Sequence, residues 1–176
     1  MKAISTLLRE YKLVLILLAM VVFACNRKVD EHLTITSPDK NIVVTVDSEK
    51  LVYSIVYKGE SGLRESKLGL IRDDEDFSTN LTVTKASSPV VVSDSYSMLT
   101  AKKKSITYTA TERIIETKSS SGKKMNITFR VFDDGVAFRY EFPETSSDVR
   151  KIISEETSFR FFEGTRAWLQ PKAEAQ

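Results

Sequence analysis

The sequence predicts an all-β fold, an antiparallel β-sandwich or barrel, from three observations. From Glu31 onward apolar residues recur at every second position, which is the period of a strand with one buried and one solvated face. About ten such runs follow one another at spacings of roughly 8–12 residues. No amphipathic helical pattern follows residue 25. With 176 residues and 41% hydrophobic residues, the chain can form one core and is too apolar for disorder.

The first half of the body predicts a hairpin followed by a short strand. Residues 42–46 and 51–57 are rich in β-branched and aromatic residues, and the polar residues 47–50 between them form a turn signal. Residues 68–71 predict the next, shorter strand. The acidic stretch that follows predicts a long loop over residues 73–80.

The second half contains the strongest local signal, a hairpin. Residues 125–132 and 136–142 alternate between apolar and polar side chains and are joined by an Asp-Gly turn. Residues 105–110 and 113–117 predict two strands before this hairpin. Two more short strands are predicted near the C-terminus: residues 159–162 and 167–169.

The N-terminal segment predicts export. Lys2, Arg9 and Lys12 flank an uncharged apolar run over residues 13–23, which is shorter than the roughly 20 residues of a membrane span and suits a signal peptide. Cys25, the only cysteine, follows shortly after this run in a context that resembles a bacterial lipobox. The alternative is an ordinary signal peptide that is removed together with the thiol.

These features predict a signal-peptide helix over residues 1–24, a tether over residues 25–32 and a β-sandwich over residues 33–176. Lipid attachment at Cys25 would supply several acyl chains, and each buried methylene contributes about 0.8 kcal/mol to anchoring. We therefore expect an exported lipoprotein that is held on a membrane, in the periplasm or at the outer membrane.

Composition argues against several functions. The formal net charge is +2, and residues 1–25 account for all of it because they carry three basic residues and one acidic residue. A neutral body does not predict nucleic-acid binding, and the lysines at residues 102–104 suit a solvated strand edge. A single cysteine and a single histidine exclude disulfide frameworks and cysteine- or histidine-rich metal centres.

The candidate reactive residues are weak. His32 lies in the predicted tether, where no scaffold would hold it for catalysis. The acidic residues 73–76 lack the ligand spacing of a calcium loop and predict a solvated loop. Glu141, Glu155 and Glu156 could supply a glycosidase carboxylate pair, but acids near strand ends are common. We therefore assign no catalytic and no metal-binding residue.

Trp168 is the only tryptophan and a weak candidate for carbohydrate contact. Its flat indole could stack on a sugar ring, or it could anchor the core. From the sequence alone the core position is favoured.

Five segments in order resemble a known family: residues 37–59, 66–70, 134–143, 155–161 and 167–171. They are similar to the N-terminal domain of glycoside hydrolase family 97. The resemblance implies a β-super-sandwich related to galactose mutarotase-like domains. It also implies an exported bacterial α-glycosidase, chiefly an α-glucosidase or α-galactosidase, whose catalytic carboxylates lie on a central (β/α)₈ barrel. Many members need calcium.

The sequence departs from the family by ending at Gln176, because a barrel needs about 250 residues. We therefore expect an incomplete sandwich from a truncated gene, a split gene or a fragment. No cofactor is expected in this chain, although calcium is expected for a full-length family enzyme. Glu174 is near a family calcium ligand in position but has no motif match.

The expected function is a carbohydrate-associated sandwich that supports an absent catalytic barrel. Its partners would be that barrel and an α-linked oligosaccharide or polysaccharide, with no nucleic acid. The alternative is a free-standing lipoprotein sandwich that binds glycan or protein. A small mutarotase-like enzyme is disfavoured, since it would need a scaffolded His and Glu and the chain has only His32.

Overall fold

The computed structural model describes residues 29–100 and 102–168, and its regular elements there are antiparallel β-strands. The strands are β1 His32–Thr36, β2 Ile42–Asp47, β3 Val52–Tyr57, β4 Glu60–Lys67, β5 Leu70–Arg72, β6 Glu75–Asp76, β7 Thr82–Ala86, β8 Val90–Ser97, β9 Ser105–Lys118, β10 Lys124–Phe132, β11 Val136–Glu141 and β12 Ile152–Glu155. The predicted signal-peptide helix and Cys25 lie outside the described residues. Within them, no helix is suited to cross a bilayer.

The strands form two main sheets and one small sheet. The first sheet has the order β1-β2-β3-β4, a meander in which each strand pairs with the next one along the chain. The second has the order β11-β10-β9-β7, and β8 pairs with the other half of β9. The small sheet has the order β12-β5-β6.

The core lies between the two main sheets, as the alternating pattern requires. On β10 the inward side chains are fully buried, and they are the predicted set Met125, Ile127, Phe129 and Val131. The Tyr53 ring of the first sheet meets the Phe129 ring of the second at 6.0 Å between centroids. Burial of such apolar area is the main stabilising term of the fold. The all-β sandwich and the β10–β11 hairpin are confirmed.

Three predicted boundaries are wrong. Residues 105–110 and 113–117 belong to one strand, β9, because Thr111 and Glu112 continue the pairing with β10 rather than turning the chain. Residues 73–80 are not one long loop, since β5 and β6 form a tight hairpin at their start. His32 is not only a tether residue, because it begins β1 and pairs with Asp47.

The C-terminal strands also differ from the prediction. Residues 159–162 contribute only an isolated bridge between Arg64 and Arg160. Ala167 and Trp168 are not in a strand, and the third residue of that predicted strand lies outside the described part.

Candidate functional site

The segment after β12 lies along the edge of the first sheet. The N–H of Arg64 donates to the Arg160 carbonyl at 3.0 Å, and the N–H of Ser158 donates to the Lys67 carbonyl at 3.1 Å. The Arg64 guanidinium also donates to the Phe161 carbonyl at 2.8 Å. These bonds cover part of the otherwise open edge of β4.

β12 and the segment after it expose large apolar side chains, which we call the C-terminal apolar surface: Ile152, Ile153, Phe159, Phe161, Phe162 and Trp168. The exposed fraction is 59% for Phe159 and 90% for Trp168. The Arg64 guanidinium lies 5.2 Å from the centroid of the Phe162 ring. Exposed aromatic side chains beside an arginine are typical of a binding surface.

The prediction that Trp168 belongs to the core is wrong, because its indole is almost fully exposed. An exposed indole is available to a sugar ring or to a protein partner. Its role as a carbohydrate contact stays a prediction.

Two tyrosines, the buried Tyr53 and the half-buried Tyr140, hold this segment to the sandwich. The Tyr53 hydroxyl donates to the Ser158 carbonyl at 3.1 Å, and burial raises the pKa of Tyr53 to about 12. The Tyr140 hydroxyl lies 2.6 Å from the Thr157 hydroxyl and accepts the N–H of Gly69 at 2.8 Å. Burial also raises the pKa of Tyr140. Both tyrosines therefore act as neutral hydrogen-bonding groups.

A charged cluster surrounds Arg72, the last residue of β5 in the small sheet. Arg72 has a side chain that is only 5% exposed, and its Nε donates to Asp74 at 2.5 Å. Its Nη2 donates to Glu144 at 3.2 Å. The guanidinium lies over both the Phe77 and the Phe142 ring, at 5.1 and 4.4 Å from their centroids. The sequence does not reveal the role of Arg72, because Phe142 and Glu144 are distant in the chain.

The carboxylates of residues 73–76 do not fit a calcium site. Hydrogen bonds from Arg72 and Lys123 hold the pKa of Asp74 far below its usual range. Asp76 accepts hydrogen bonds from Ser78 and Thr79 instead. In residues 29–100 and 102–168, no group of three His, Cys, Asp or Glu side chains is arranged to hold a metal ion. Calcium ligands need several converging oxygens.

The other candidate acids have their own local contacts in the described part of the chain. Glu141 ends β11 and lies 3.6 Å from Arg139. Glu155 ends β12, and Glu156 accepts a hydrogen bond from Ser154 at 2.7 Å. No hydrogen bond or ion pair between described residues joins these three glutamates to His32 or to one another.

An open groove of about 710 Å³ lies between β1 and the junction of β7 and β8. Arg113 lines it, but its Nε donates to the Ser87 carbonyl and its Nη1 to the Thr34 carbonyl, each at 2.9 Å. This arginine therefore joins the two sheets. Nothing in the groove resembles a nucleophile with an adjacent base.

Comparisons with known proteins agree on one family. The chain matches the family described as "Glycosyl-hydrolase 97 N-terminal" over residues 35–176. It is 27% identical over 134 residues to a probable retaining alpha-galactosidase of Streptomyces bingchenggensis (strain BCW-1), covering 76% of this chain and 20% of that protein.

Solved structures are similar over a comparable span. A beta-arabinopyranosidase has 30% identity and a TM-score of 0.68, over 74% of this chain and 21% of that chain. A family 97 enzyme of Pseudoalteromonas sp. strain K8, solved in complex with acarbose, has 25% identity and a TM-score of 0.65, over 74% and 20%. The chain thus spans about a fifth of these relatives. It belongs to the glycosyl-hydrolase 97 N-terminal domain family.

Proposed function

We propose that this chain is the carbohydrate-associated β-sandwich of an exported α-glycosidase, of the α-glucosidase or α-galactosidase type, and that it supports the catalytic barrel of that enzyme. The observation that carries the proposal is the C-terminal apolar surface. Exposed large apolar side chains concentrated in one stretch of a chain are typical of an interaction surface. Export as a lipoprotein through Cys25 is part of the same proposal.

The composition of this surface favours a protein partner. Aromatic residues and arginine are enriched at interfaces, and Phe159, Phe162 and Arg64 supply both kinds. The second sheet offers the partner another place to bind, because β11 is its terminal strand and has an open edge. A covering polypeptide would remove apolar area from water and could pair with this edge.

The described residues offer binding and support rather than turnover. Glu141, Glu155 and Glu156 have separate environments, and family 97 relatives are about five times longer than the part this chain spans. The exposure of the Trp168 indole supports its proposed contact with an α-linked oligosaccharide or polysaccharide, because a flat ring can stack on a sugar. Hydrolysis is expected only when a barrel is joined to the sandwich.

The test begins with the DNA after codon 176. A reading frame there for a (β/α)₈ barrel supports the proposal, whereas an unrelated gene favours the free-standing lipoprotein. The barrel polypeptide is then produced with the full chain. The complex should form and hydrolyse aryl α-glucosides or α-galactosides, and the chain alone should be inactive.

Surface variants make this test specific. Phe159→Ser with Phe162→Ser should abolish co-purification with the barrel. Val91→Ser, an equally exposed apolar residue on β8, is the matched control and should leave complex formation unchanged. Robust hydrolysis by the chain alone, or a complex that survives both phenylalanine substitutions, would contradict the proposal. Quenching of Trp168 fluorescence by panose or acarbose tests sugar contact separately.

A further inference from the structure

The hairpin of β8 and β9 projects beyond the sandwich. The two strands pair from Val90 with Glu112 to Ser97 with Ser105. Pairing of β9 with β10 ends at Ala110, so residues 105–109 pair with β8 alone. At about 3.3 Å per residue, this two-stranded part extends roughly 17 Å beyond the end of β10.

Side chains on both faces stabilise the projection. The Tyr96 and Tyr108 rings meet edge to face at 6.4 Å, and Tyr108 meets Phe132 of β10 at 5.4 Å. On the opposite face the hydroxyls of Ser93 and Thr109 are 3.0 Å apart. The hairpin therefore presents its tip on an ordered support.

The tip carries apolar side chains. Leu99 is fully exposed, and Met98 is exposed beside it. The N–H of Met98 donates to the Lys104 carbonyl at 2.8 Å, which closes the loop and holds both residues at the apex. Moving apolar side chains out of water is favourable, and no described residue covers Leu99.

A basic cluster adjoins this apex. Lys102, Lys103 and Lys104 are all exposed, and none of them takes part in an ion pair with a described residue. Residues 97–104 contain no acidic residue, so this stretch carries three positive charges. Lysine ammonium groups are attracted to anionic lipid headgroups while their aliphatic stems lie along apolar surface.

We propose that the tip of the β8–β9 hairpin binds the surface of an anionic phospholipid bilayer. Leu99 and Met98 enter the headgroup boundary while the lysines contact the lipid phosphates. A nucleic acid would use the lysines but leave Leu99 in water, and a bilayer uses both features. The proposal goes beyond the glycosidase function and does not depend on it or on lipid attachment at Cys25.

A tryptophan at the tip reports binding directly. The full chain is prepared with Leu99→Trp and Trp168→Phe, and mixed with phosphatidylcholine vesicles with or without phosphatidylglycerol. Emission should shift to shorter wavelength and be quenched by brominated lipid only when phosphatidylglycerol is present, and salt should reverse the change. Residues 1–28 are common to all variants, so the signal at position 99 isolates the tip.

The number of lysines at the tip sets the expected loss of vesicle binding when they are replaced. Each contributes about a fivefold change in partitioning near an anionic surface, so Lys102→Gln, Lys103→Gln and Lys104→Gln together should weaken binding on the order of 100-fold. The matched control replaces the exposed Lys58, Lys67 and Lys151 with Gln and should retain binding.

Val149→Trp in the same Trp168→Phe background is the control for the tip, because Val149 is exposed in the loop between β11 and β12, away from the β8–β9 hairpin. Its emission should not respond to vesicles. An unshifted tryptophan at position 99 overturns the proposal, and so does equal loss in the two lysine triples. Binding of an oligonucleotide without a vesicle response also overturns it, in favour of a general polyanion site.

Discussion

Replacing Arg72 tests whether the charged cluster holds the small sheet to the sandwich. Arg72→Met keeps a long side chain against the rings of Phe77 and Phe142 and removes the charge. The variant loses the hydrogen bonds to Asp74 and Glu144 and leaves two carboxylates with fewer partners. This substitution therefore separates the ionic contribution of Arg72 to folding stability from its packing contribution.

The cost can be estimated from these contacts. Hydrogen bonds to charged groups contribute about 1.5–3 kcal/mol each, and breaking a buried ion pair costs about 3–5 kcal/mol. Asp74 keeps Lys123 at 2.6 Å, and Glu144 is partly solvated, so the low end applies. We expect a loss of about 3 kcal/mol, which is roughly 6–12 °C in Tm for a chain of this size.

Thermal and urea unfolding, followed by circular dichroism, measure this loss. Arg139→Met is the matched control, because Arg139 has an exposed side chain and lies 3.6 Å from Glu141. Exposed pairs of this kind contribute at most about 1 kcal/mol. If Arg72→Met destabilises no more than Arg139→Met, the cluster is not what fastens the small sheet.

Three further predictions concern other local contacts. Gly69→Ala should destabilise by more than about 2 kcal/mol in urea unfolding, because φ is 135° and a Cβ would lie 2.6 Å from the Phe77 carbonyl oxygen. Tyr140→Phe should cost about 1–2 kcal/mol by the same measurement, because the Gly69 N–H loses its acceptor. Hydrogen bonds, chiefly from Ser37, lower the pKa of Asp39 to about 2. The stabilisation that the ionised carboxylate gives the folded state is therefore complete above the ordinary pKa of 3.8 and is lost as the pH falls towards 2. Asp39→Asn should therefore make the fall of Tm over that pH interval less steep. An unchanged slope would show that titration of Asp39 does not cause this fall.

The sequence could predict the elements whose signals are local. The β10–β11 hairpin has strict alternation and an Asp-Gly turn, and both act within a few residues. β4 was missed because Glu60–Lys67 is polar and is stabilised mainly by pairing at the sheet edge. β8 was missed because its side chains are mostly exposed and its partner, β9, supplies the register.

The candidate sites depend on contacts that no local pattern reveals. Arg72 and Glu144 are 72 positions apart, and their pairing follows from the way β11 and β12 lie beside β5. Trp168 is a large apolar residue of the kind expected in a core. Only the path of the chain along β4 shows that its indole faces solvent. Local propensity is a weak guide wherever edge pairing or a return of the chain decides the environment.

The two apolar surfaces differ in a way that predicts different partners. The C-terminal apolar surface adjoins Arg64, and one Nη of its guanidinium donates to the Phe161 carbonyl. A polypeptide would cover mainly apolar side chains there, and its association should depend weakly on salt. The hairpin tip has three lysines beside Leu99 that form no ion pair with a described residue, and burying them in a protein interface would be costly. Salt should therefore weaken vesicle binding strongly and barrel binding little, and a reversed order would contradict both assignments.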